Sequence, residues 1–181
     1  RLFDELLKLF QAGCGLDAFE KLRHYGLFGH LFPDTEACLT HEENDFPITF
    51  VSRGLANTDA RIAQDQPVTP AFLFAVLLWE PVRQRYQELL DRGREPIEAM
   101  ILAGSEVGTR QQSRVAIPKR FSLPMREIWE MQPRLEQRQG TRPHRLLGHP
   151  RLRAAYDFLL LRAAAGEADP ELADWWTRFQ E

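Results

Sequence analysis

Arginines are the residues in this sequence whose type and spacing most clearly indicate a chemistry. Six of them recur at short intervals over residues 134–153: Arg134, Arg138, Arg142, Arg145, Arg151 and Arg153. The planar guanidinium group forms paired hydrogen bonds with phosphate oxygens and stacks on flat rings, which the lysine ammonium group does not. The stretch is therefore a candidate binding site for a polyanion.

The formal charge of the chain is distributed unevenly along its length. Residues 110–162 contain 12 Lys and Arg against 4 Asp and Glu, a charge of +8. Residues 1–109 contain 10 against 17, and residues 163–181 contain 1 against 5. The net charge of −3 therefore hides a basic segment between two acidic ones, an asymmetry that points to a charged partner. A solvated or ion-paired helical face is the alternative explanation, and charge alone does not decide between the two.

The sequence lacks the familiar motifs of enzyme catalysis. It contains no Walker loop, GxGxxG or HExxH motif, and its five histidines are not spaced as metal ligands. Gly104-Ser105 resembles the start of a nucleotidyltransferase motif, but no Asp-x-Asp follows it. Two-metal phosphoryl transfer therefore has no ligands there, and close helix packing is expected instead. The acidic run at residues 42–45 is interpreted as a solvated loop rather than a metal site.

Composition is typical of one or two small globular domains. The chain has 181 residues, of which 44% are hydrophobic and 27% charged. Cys14 and Cys38 form no CxxC pair, which favours reduced thiols in a reducing compartment. The longest apolar run, residues 71–79, is too short to span a bilayer. Because the chain opens on Arg1 inside an amphipathic pattern, we expect it to be a fragment of a longer protein.

The elements that must position the arginines are predicted to be helices. Apolar residues recur at helical spacing from the first residues of the chain to the last. Thr69-Pro70 and Asp169-Pro170 are typical helix starts, and residues 71–79, apolar on every side, predict a buried central helix. No segment alternates at period two. The predicted fold is all-α, a compact array of about eight to ten helices joined by short loops.

Prolines and capping residues predict the helix boundaries near the arginines. One helix is expected to start near Pro47 with Asp45 as its cap, and another to be capped by Ser122. If that second helix is continuous, Arg126, Glu130, Arg134 and Arg138 share one face, although Pro133 would kink it.

Three further side chains near the arginines have two possible roles each. Trp129 and Tyr156 are spaced like core residues, with base stacking as the alternative. Arg153 lies one turn before Asp157, so an ion pair could occupy it.

Several short motifs resemble one protein family. They are Ile117-Pro118-Lys119-Arg120, Arg138-Gln139-Gly140-Thr141-Arg142, Leu146-Leu147-Gly148-His149-Pro150 and Arg153-Ala154-Ala155-Tyr156-Asp157. This half of the chain resembles the arginine-rich C-terminal region of bacterial poly(A) polymerases, in the tRNA-nucleotidyltransferase superfamily. Residues 1–33 are similar to the end of the helical neck shared across that superfamily.

The resemblance implies a role in RNA binding without catalysis. It implies the end of the neck at residues 1–35, a helical body at 36–115 and an arginine-rich leg at 116–181. The residues expected to bind RNA are Lys119, Arg120, Arg126, Arg134, Arg138, Arg142, Arg145, Arg151 and Arg153. No catalytic or metal-binding residue and no cofactor is expected in this chain.

The complete enzyme implied by the resemblance is a cytoplasmic polynucleotide adenylyltransferase. It would bind ATP and Mg²⁺ in an N-terminal catalytic head and add adenosines to RNA 3′ ends. Its implied partners are RNA and, by analogy, the RNA-decay machinery or an RNA chaperone. Two alternatives stay open: the C-terminal region of a tRNA CCA-adding enzyme, against which residues 138–157 argue, and a helical protein-interaction module.

Overall fold

Twelve helices form the part of the chain that the computed structural model describes, residues 1–41 and 47–181. No β-strand occurs within these two ranges. The helices are α1 (Leu2–Phe10), α2 (Gly15–His24), α3 (Phe28–Leu31), α4 (Pro33–Leu39), α5 (Phe50–Ala63), α6 (Pro70–Leu77), α7 (Trp79–Asp91), α8 (Pro96–Gln111), α9 (Lys119–Leu135), α10 (Arg142–Leu147), α11 (Leu152–Ala164) and α12 (Pro170–Phe179). The all-α prediction is confirmed, and the two shortest helices, α3 and α10, bring the number above the range expected.

Helix α6 lies at the centre of the fold. No residue of the run 71–79 exposes more than 8% of its surface, as the uniformly apolar sequence predicted. Thr69 caps the helix by accepting a hydrogen bond from the Phe72 N–H at 3.2 Å. The ring of Phe3 stacks between Phe74 and Phe121, at centroid distances of 5.1 and 5.5 Å. These contacts bring α1 and α9 together against α6.

Two glycines permit close helix crossings around this core. At Gly54 of α5, an added Cβ would overlap Val76 of α6. At Gly104 of α8, an added Cβ would lie 3.1 Å from the ring of Trp129 on α9. The prediction that Gly104-Ser105 serves helix packing is therefore confirmed.

The first turn of α2 is held by a carboxylate from α5. Asp59 accepts hydrogen bonds from the Gly15 N–H at 2.7 Å and from the Leu16 N–H at 3.1 Å. These N–H groups have no partner within their own helix, and a negative charge favours the positive end of the helix dipole. The contact fixes α2 against α5.

Buried apolar side chains form two clusters. Cluster 1 consists of buried apolar residues of α1 to α3 and α5 to α8, the connecting residues Phe32, Leu78, Val115 and Ile117, the first half of α9, and Phe158 and Leu161 of α11. Cluster 2 consists of Met131, Leu135, Leu146, Leu152, Ala155, Tyr156, Leu159, Leu172, Ala173 and Trp176. Helices α9 and α11 contribute to both clusters. The division at residues 35 and 115 stays a prediction.

A buried glutamine joins the two clusters where α9 and α11 pack together. The Gln132 side-chain amide donates to the backbone carbonyls of Ile128 at 2.9 Å and Ala155 at 3.2 Å. Its oxygen accepts a hydrogen bond from Arg162 at 2.9 Å. A buried polar group is stable only when its hydrogen bonds are made, so this residue fixes the register of the two helices.

Helix α9 differs from its predicted boundaries. It begins at Lys119, and Ser122 is buried inside the helix instead of capping it. It runs through Pro133 and ends at Leu135, so Arg138 lies beyond it. The prediction that Arg138 extends the row of Arg126, Glu130 and Arg134 is therefore wrong. Packing of α9 against α6, α8 and α11 offsets the backbone hydrogen bonds that prolines remove.

Helix α5 also begins later than predicted, at Phe50 rather than near Pro47. The expected cap Asp45 and the acidic run at residues 42–45 lie outside the described residues. Asp169 caps α12 as predicted, by accepting a hydrogen bond from the Glu171 N–H.

Among the described residues, no helix combines the length and apolar character that crossing a membrane requires.

Candidate nucleic-acid interface

The nine predicted RNA-binding residues fall into three groups. Arg120, Arg151 and Arg153 line one cleft, with Lys119 preceding Arg120 at the start of α9. Arg126 and Arg134 lie along α9. The remaining three are in the segment between α9 and the middle of α10: Arg138, Arg142 and Arg145. The structure thus brings the start of α9 together with the last arginines of the stretch, Arg151 and Arg153, while Arg138, Arg142 and Arg145 form a separate group.

The first group lines a cleft of about 470 Å³, which we call the arginine cleft. It lies between the α5–α6 connection and the starts of α9 and α11. Its lining includes four arginines and one carboxylate: Arg61, Arg120, Arg151, Arg153 and Asp157. Apolar side chains, among them Phe72, Phe121 and Ile128, complete the lining. The volume falls within the range of small-molecule binding sites, roughly 300–1,000 Å³.

Three helices begin at the arginine cleft. Residues 70–72 of α6, 120–121 of α9 and 153–154 of α11 all line it, and each range lies in the first turn of its helix. The first turn of a helix carries a partial positive charge from its free N–H groups. The helix ends therefore add to the positive charge of the four guanidinium groups.

Asp157 lies between two of these arginines. Its carboxylate oxygens are 3.5 Å from Arg153 Nε and 3.6 Å from a terminal nitrogen of Arg61. The predicted ion pair with Arg153 is confirmed, and the contact with Arg61 was not predicted. Burial raises the pKa of the Asp157 carboxyl, and the two arginines act in the opposite direction. One carboxylate thus offsets part of the charge of two guanidinium groups.

Arg151 is held loosely by its neighbours. Its Nε atom is buried without a hydrogen-bond partner, and the nearest carboxylate oxygen, on Glu127 of α9, is 3.8 Å away. Its backbone N–H donates to His149 Nδ1 at 3.0 Å, which fixes the turn before α11. The Nε donor of Arg151 is therefore left unsatisfied within the fold.

The second group lies along α9, on either side of Glu130. Burial raises the pKa of the Glu130 carboxyl, the nearby Glu127 adds to this effect, and Arg126 and Arg134 oppose it. Arg126 lies against Gly108 of α8, close enough that a Cβ there would meet its guanidinium group at 2.9 Å. Both arginines are partly buried, so α9 uses part of their charge within the fold.

The third group, Arg138, Arg142 and Arg145, we call the basic run. All three side chains are exposed. Within residues 1–41 and 47–181, no carboxylate forms an ion pair with any of them. The short helix α10 is anchored to cluster 2 by Leu146. The basic run is therefore a free cationic surface on a supported helix.

Comparison with known families identifies this arrangement. Residues 92–181 match a family model described as "Polymerase A arginine-rich C-terminus". Residues 1–39 match one described as "Probable RNA and SrmB- binding site of polymerase A". The chain belongs to the poly(A) polymerase family. The resemblance inferred from the motifs at residues 117–157 is confirmed.

Characterised poly(A) polymerases align with almost the whole chain. Poly(A) polymerase I of Haemophilus influenzae is 41% identical over 182 residues, and that of Escherichia coli is 42% identical over 185. Each alignment covers 99% of this chain. The chain spans about 40% of the length of these relatives.

One cleft residue of this poly(A) polymerase region was missed by the sequence prediction. Arg61 follows an ordinary amphipathic pattern on α5, in an acidic part of the chain. Its Nε atom donates to Asn57 at 3.1 Å, which directs the side chain along α5. No local signal links it to α11, because that contact arises only from tertiary packing.

Two aromatic residues near the arginines belong to the core. Trp129 is fully buried and its indole N–H donates to the Ala75 carbonyl at 3.1 Å. Tyr156 is 7% exposed and its hydroxyl hydrogen-bonds with Thr177. The core interpretation is confirmed for both, and neither ring is available for base stacking.

Arg162 is also internal. Its guanidinium group lies over the Trp79 ring at 5.3 Å and donates to Gln132. Burial lowers the pKa of Arg162. This arginine supports the junction of the clusters and does not face a ligand.

Groups that could hold a metal ion are absent from the described ranges. No three His, Cys, Asp or Glu side chains come together within residues 1–41 and 47–181. The donor set present here therefore does not fit a magnesium site for nucleotidyl transfer.

Proposed function

We propose that this chain holds RNA for a bacterial poly(A) polymerase, while a catalytic head elsewhere in the protein adds adenosines to the RNA 3′ end. The observation that carries the proposal is the basic run, three exposed arginines without acidic partners in the described part of the chain. Family membership and the +8 charge of residues 110–162 support it. A cation that no carboxylate neutralises is available to RNA phosphates.

The proposal assigns the chemistry to the head and positioning to this chain. ATP and Mg²⁺ would bind in the head, since no three His, Cys, Asp or Glu side chains come together among the described residues. The proposal places the enzyme in the cytoplasm, where RNA and ATP meet. The family description of residues 1–39 names SrmB beside RNA, so we include a protein of the RNA-decay or RNA-chaperone class as a second partner.

A salt series on RNA binding tests the proposal. Each phosphate contact on a single strand contributes about −0.7 to the slope of log affinity against log salt, so four to six contacts give roughly −3 to −4. Replacing two contacting arginines by Arg138→Ala/Arg142→Ala should weaken oligo(A) binding and flatten the slope by about 1.4. Phosphates carry no base information, so other single-stranded sequences should weaken equally.

The matched control is Arg92→Ala/Arg178→Ala, which removes the same charge from exposed positions outside the basic run. It should leave the slope nearly unchanged. The Arg138→Ala/Arg142→Ala variant could also fold normally by circular dichroism and keep the affinity and the salt slope of wild type. That result would place the RNA path elsewhere. Tighter binding of an acidic peptide than of RNA would favour a protein-interaction module.

A further inference from the structure

The arginine cleft differs from the basic run in shape and in chemistry. The three arginines of the basic run are exposed, whereas the cleft is a cavity lined by both cations and apolar side chains. A cavity that combines cations with apolar surface fits a ligand with both an anionic and a flat apolar part.

The cations of the cleft are only partly satisfied. The lining contains four guanidinium groups and one carboxylate, and the two contacts that Asp157 makes are 3.5 and 3.6 Å long. A good charge-assisted hydrogen bond is shorter, about 2.7–2.9 Å. The guanidinium group of Arg151, on a side chain that is 39% exposed, has only a 3.8 Å contact with Glu127. The lining therefore has donors that an entering phosphate could use at better geometry.

The apolar part of the lining is aromatic at one side. Phe121 lies in the first turn of α9, and the guanidinium group of Arg120 sits 4.8 Å from the centroid of its ring. Phe72 and Ile128 continue the apolar surface. Aromatic rings and arginine planes are the surfaces on which bases of single-stranded nucleic acids stack, without a requirement for sequence.

We propose that the arginine cleft holds one nucleotide of single-stranded RNA, with its phosphate on the arginines and its base or sugar against the arginine planes and the apolar lining beside Phe121. The inference rests on the proposed function, because it assumes that the chain binds RNA. It adds a second contact site to that function, built from α5, α6, α9 and α11 instead of α10.

The Asp157 carboxylate would compete with an RNA phosphate for the arginines of this site. The carboxylate holds the same two arginines, Arg61 and Arg153, that the phosphate would approach. Two unit charges about 4 Å apart in water repel by about 1 kcal/mol, a factor of about five in affinity. Asp157→Asn should therefore bind oligo(A) about twofold to fivefold more tightly than wild type. A damaged fold could not produce that gain.

Two variants test for loss of binding. Arg120→Ala/Arg153→Ala removes two phosphate donors and should weaken oligo(A) binding on the order of tenfold. Ala154→Phe fills the cleft without changing the charge and should also weaken binding. The control is again Arg92→Ala/Arg178→Ala, which matches the charge lost. The measurement is fluorescence anisotropy of labelled oligo(A) with the full chain, with melting curves for each variant.

The outcomes separate the inference from the proposed function. If wild type does not bind oligo(A), both the proposed function and the cleft site are wrong. If the Arg138/Arg142 variant weakens binding but the three cleft variants match the control, the proposed function stands and the cleft site is overturned. Displacement of the RNA by an equal concentration of AMP would also overturn it, since the cleft would then be a mononucleotide pocket.

Discussion

Glu80 is a buried acid within a small polar group at the junction of α6 and α7. It is fully buried and pairs with Arg83 at 3.1 Å. Arg83 also contacts Glu167, which accepts a hydrogen bond from the Trp79 indole at 2.8 Å. Burial, with a smaller effect from the nearby Glu167, raises the pKa of the Glu80 carboxyl to about 8, although Arg83 acts in the opposite direction. The folded protein therefore holds a proton that the unfolded chain releases.

The raised pKa makes stability depend on pH. The folded state favours the protonated acid, so the contribution of Glu80 to stability is full below its ordinary pKa of 4.5 and is lost as the pH rises to about 8. We expect the free energy of unfolding to fall over this window by an amount on the order of a few kcal/mol. Glu80→Gln, which cannot ionise, should show a flatter profile.

Urea unfolding at several pH values between 5 and 8 measures this difference. Glu20→Gln, at an exposed position on α2, is the control and should follow wild type. Parallel profiles for wild type and Glu80→Gln would show that the acid is ionised in the folded protein throughout the window.

Sequence separation decides which residue contacts could be predicted. Arg153 and Asp157 are one helical turn apart, and their ion pair was predicted from spacing alone. Glu80 meets Glu167, and Arg61 meets Asp157, only after the helices pack. Both long-range contacts were missed for that reason.

At the level of the elements, the crossing of α5 over α6 depends on the absence of a side chain. A Cβ at Gly54 would overlap Val76, whose neighbours on α6 are all buried. Gly54→Ala should destabilise the protein by about 1–3 kcal/mol through overpacking, although alanine favours a helix more than glycine does. Thermal unfolding followed by circular dichroism measures the loss.

The matched control is Gly148→Ala. Gly148 has a φ of −88° and nothing within 4 Å of the position of an added Cβ, so alanine is accommodated there. Equal melting temperatures for the two variants would mean that α5 and α6 can separate at no cost.

Helices whose ends are set by local chemistry were predicted correctly, and those set by packing were not. Thr69-Pro70 and Asp169-Pro170 define helix starts through their own hydrogen bonds. In contrast, α9 includes both Ser122 and Pro133. Considered alone, Ser122 favours the start of a helix and Pro133 favours a break in one. The surroundings of α9 override that preference, so the sequence placed Arg138 on the wrong element.

On the scale of the whole molecule, the boundaries of the basic segment along the chain differ from the boundary between the two apolar clusters. The basic segment spans residues 110–162, whereas the two apolar clusters meet within α9 and α11. The location of the basic run was therefore predictable from the sequence. The arginine cleft was not, because it combines that segment with α5 and α6.

The chain as a whole should not transfer nucleotides by itself. Two-metal catalysis requires a cluster of carboxylate ligands, and within the described residues no three His, Cys, Asp or Glu side chains come together. With ATP, Mg²⁺ and a labelled oligo(A) primer, gel electrophoresis should show no tail extension, while a complete poly(A) polymerase extends the primer. Extension by the purified chain, free of contaminating polymerase, would contradict the assignment of catalysis to a separate head.

The length of helix α9 also sets the distance between the arginine cleft and the basic run. Its 17 residues rise by about 1.5 Å each, so Arg120 near one end and the basic run just beyond the other are roughly 25 Å apart. At the rise of about 3.4 Å per nucleotide that one strand has in a DNA duplex, about seven nucleotides are needed to reach from the arginine cleft to the basic run. A shorter RNA would engage one site at a time. On the proposed mode of binding, a rigid helix would thus select RNA by length without recognising any base.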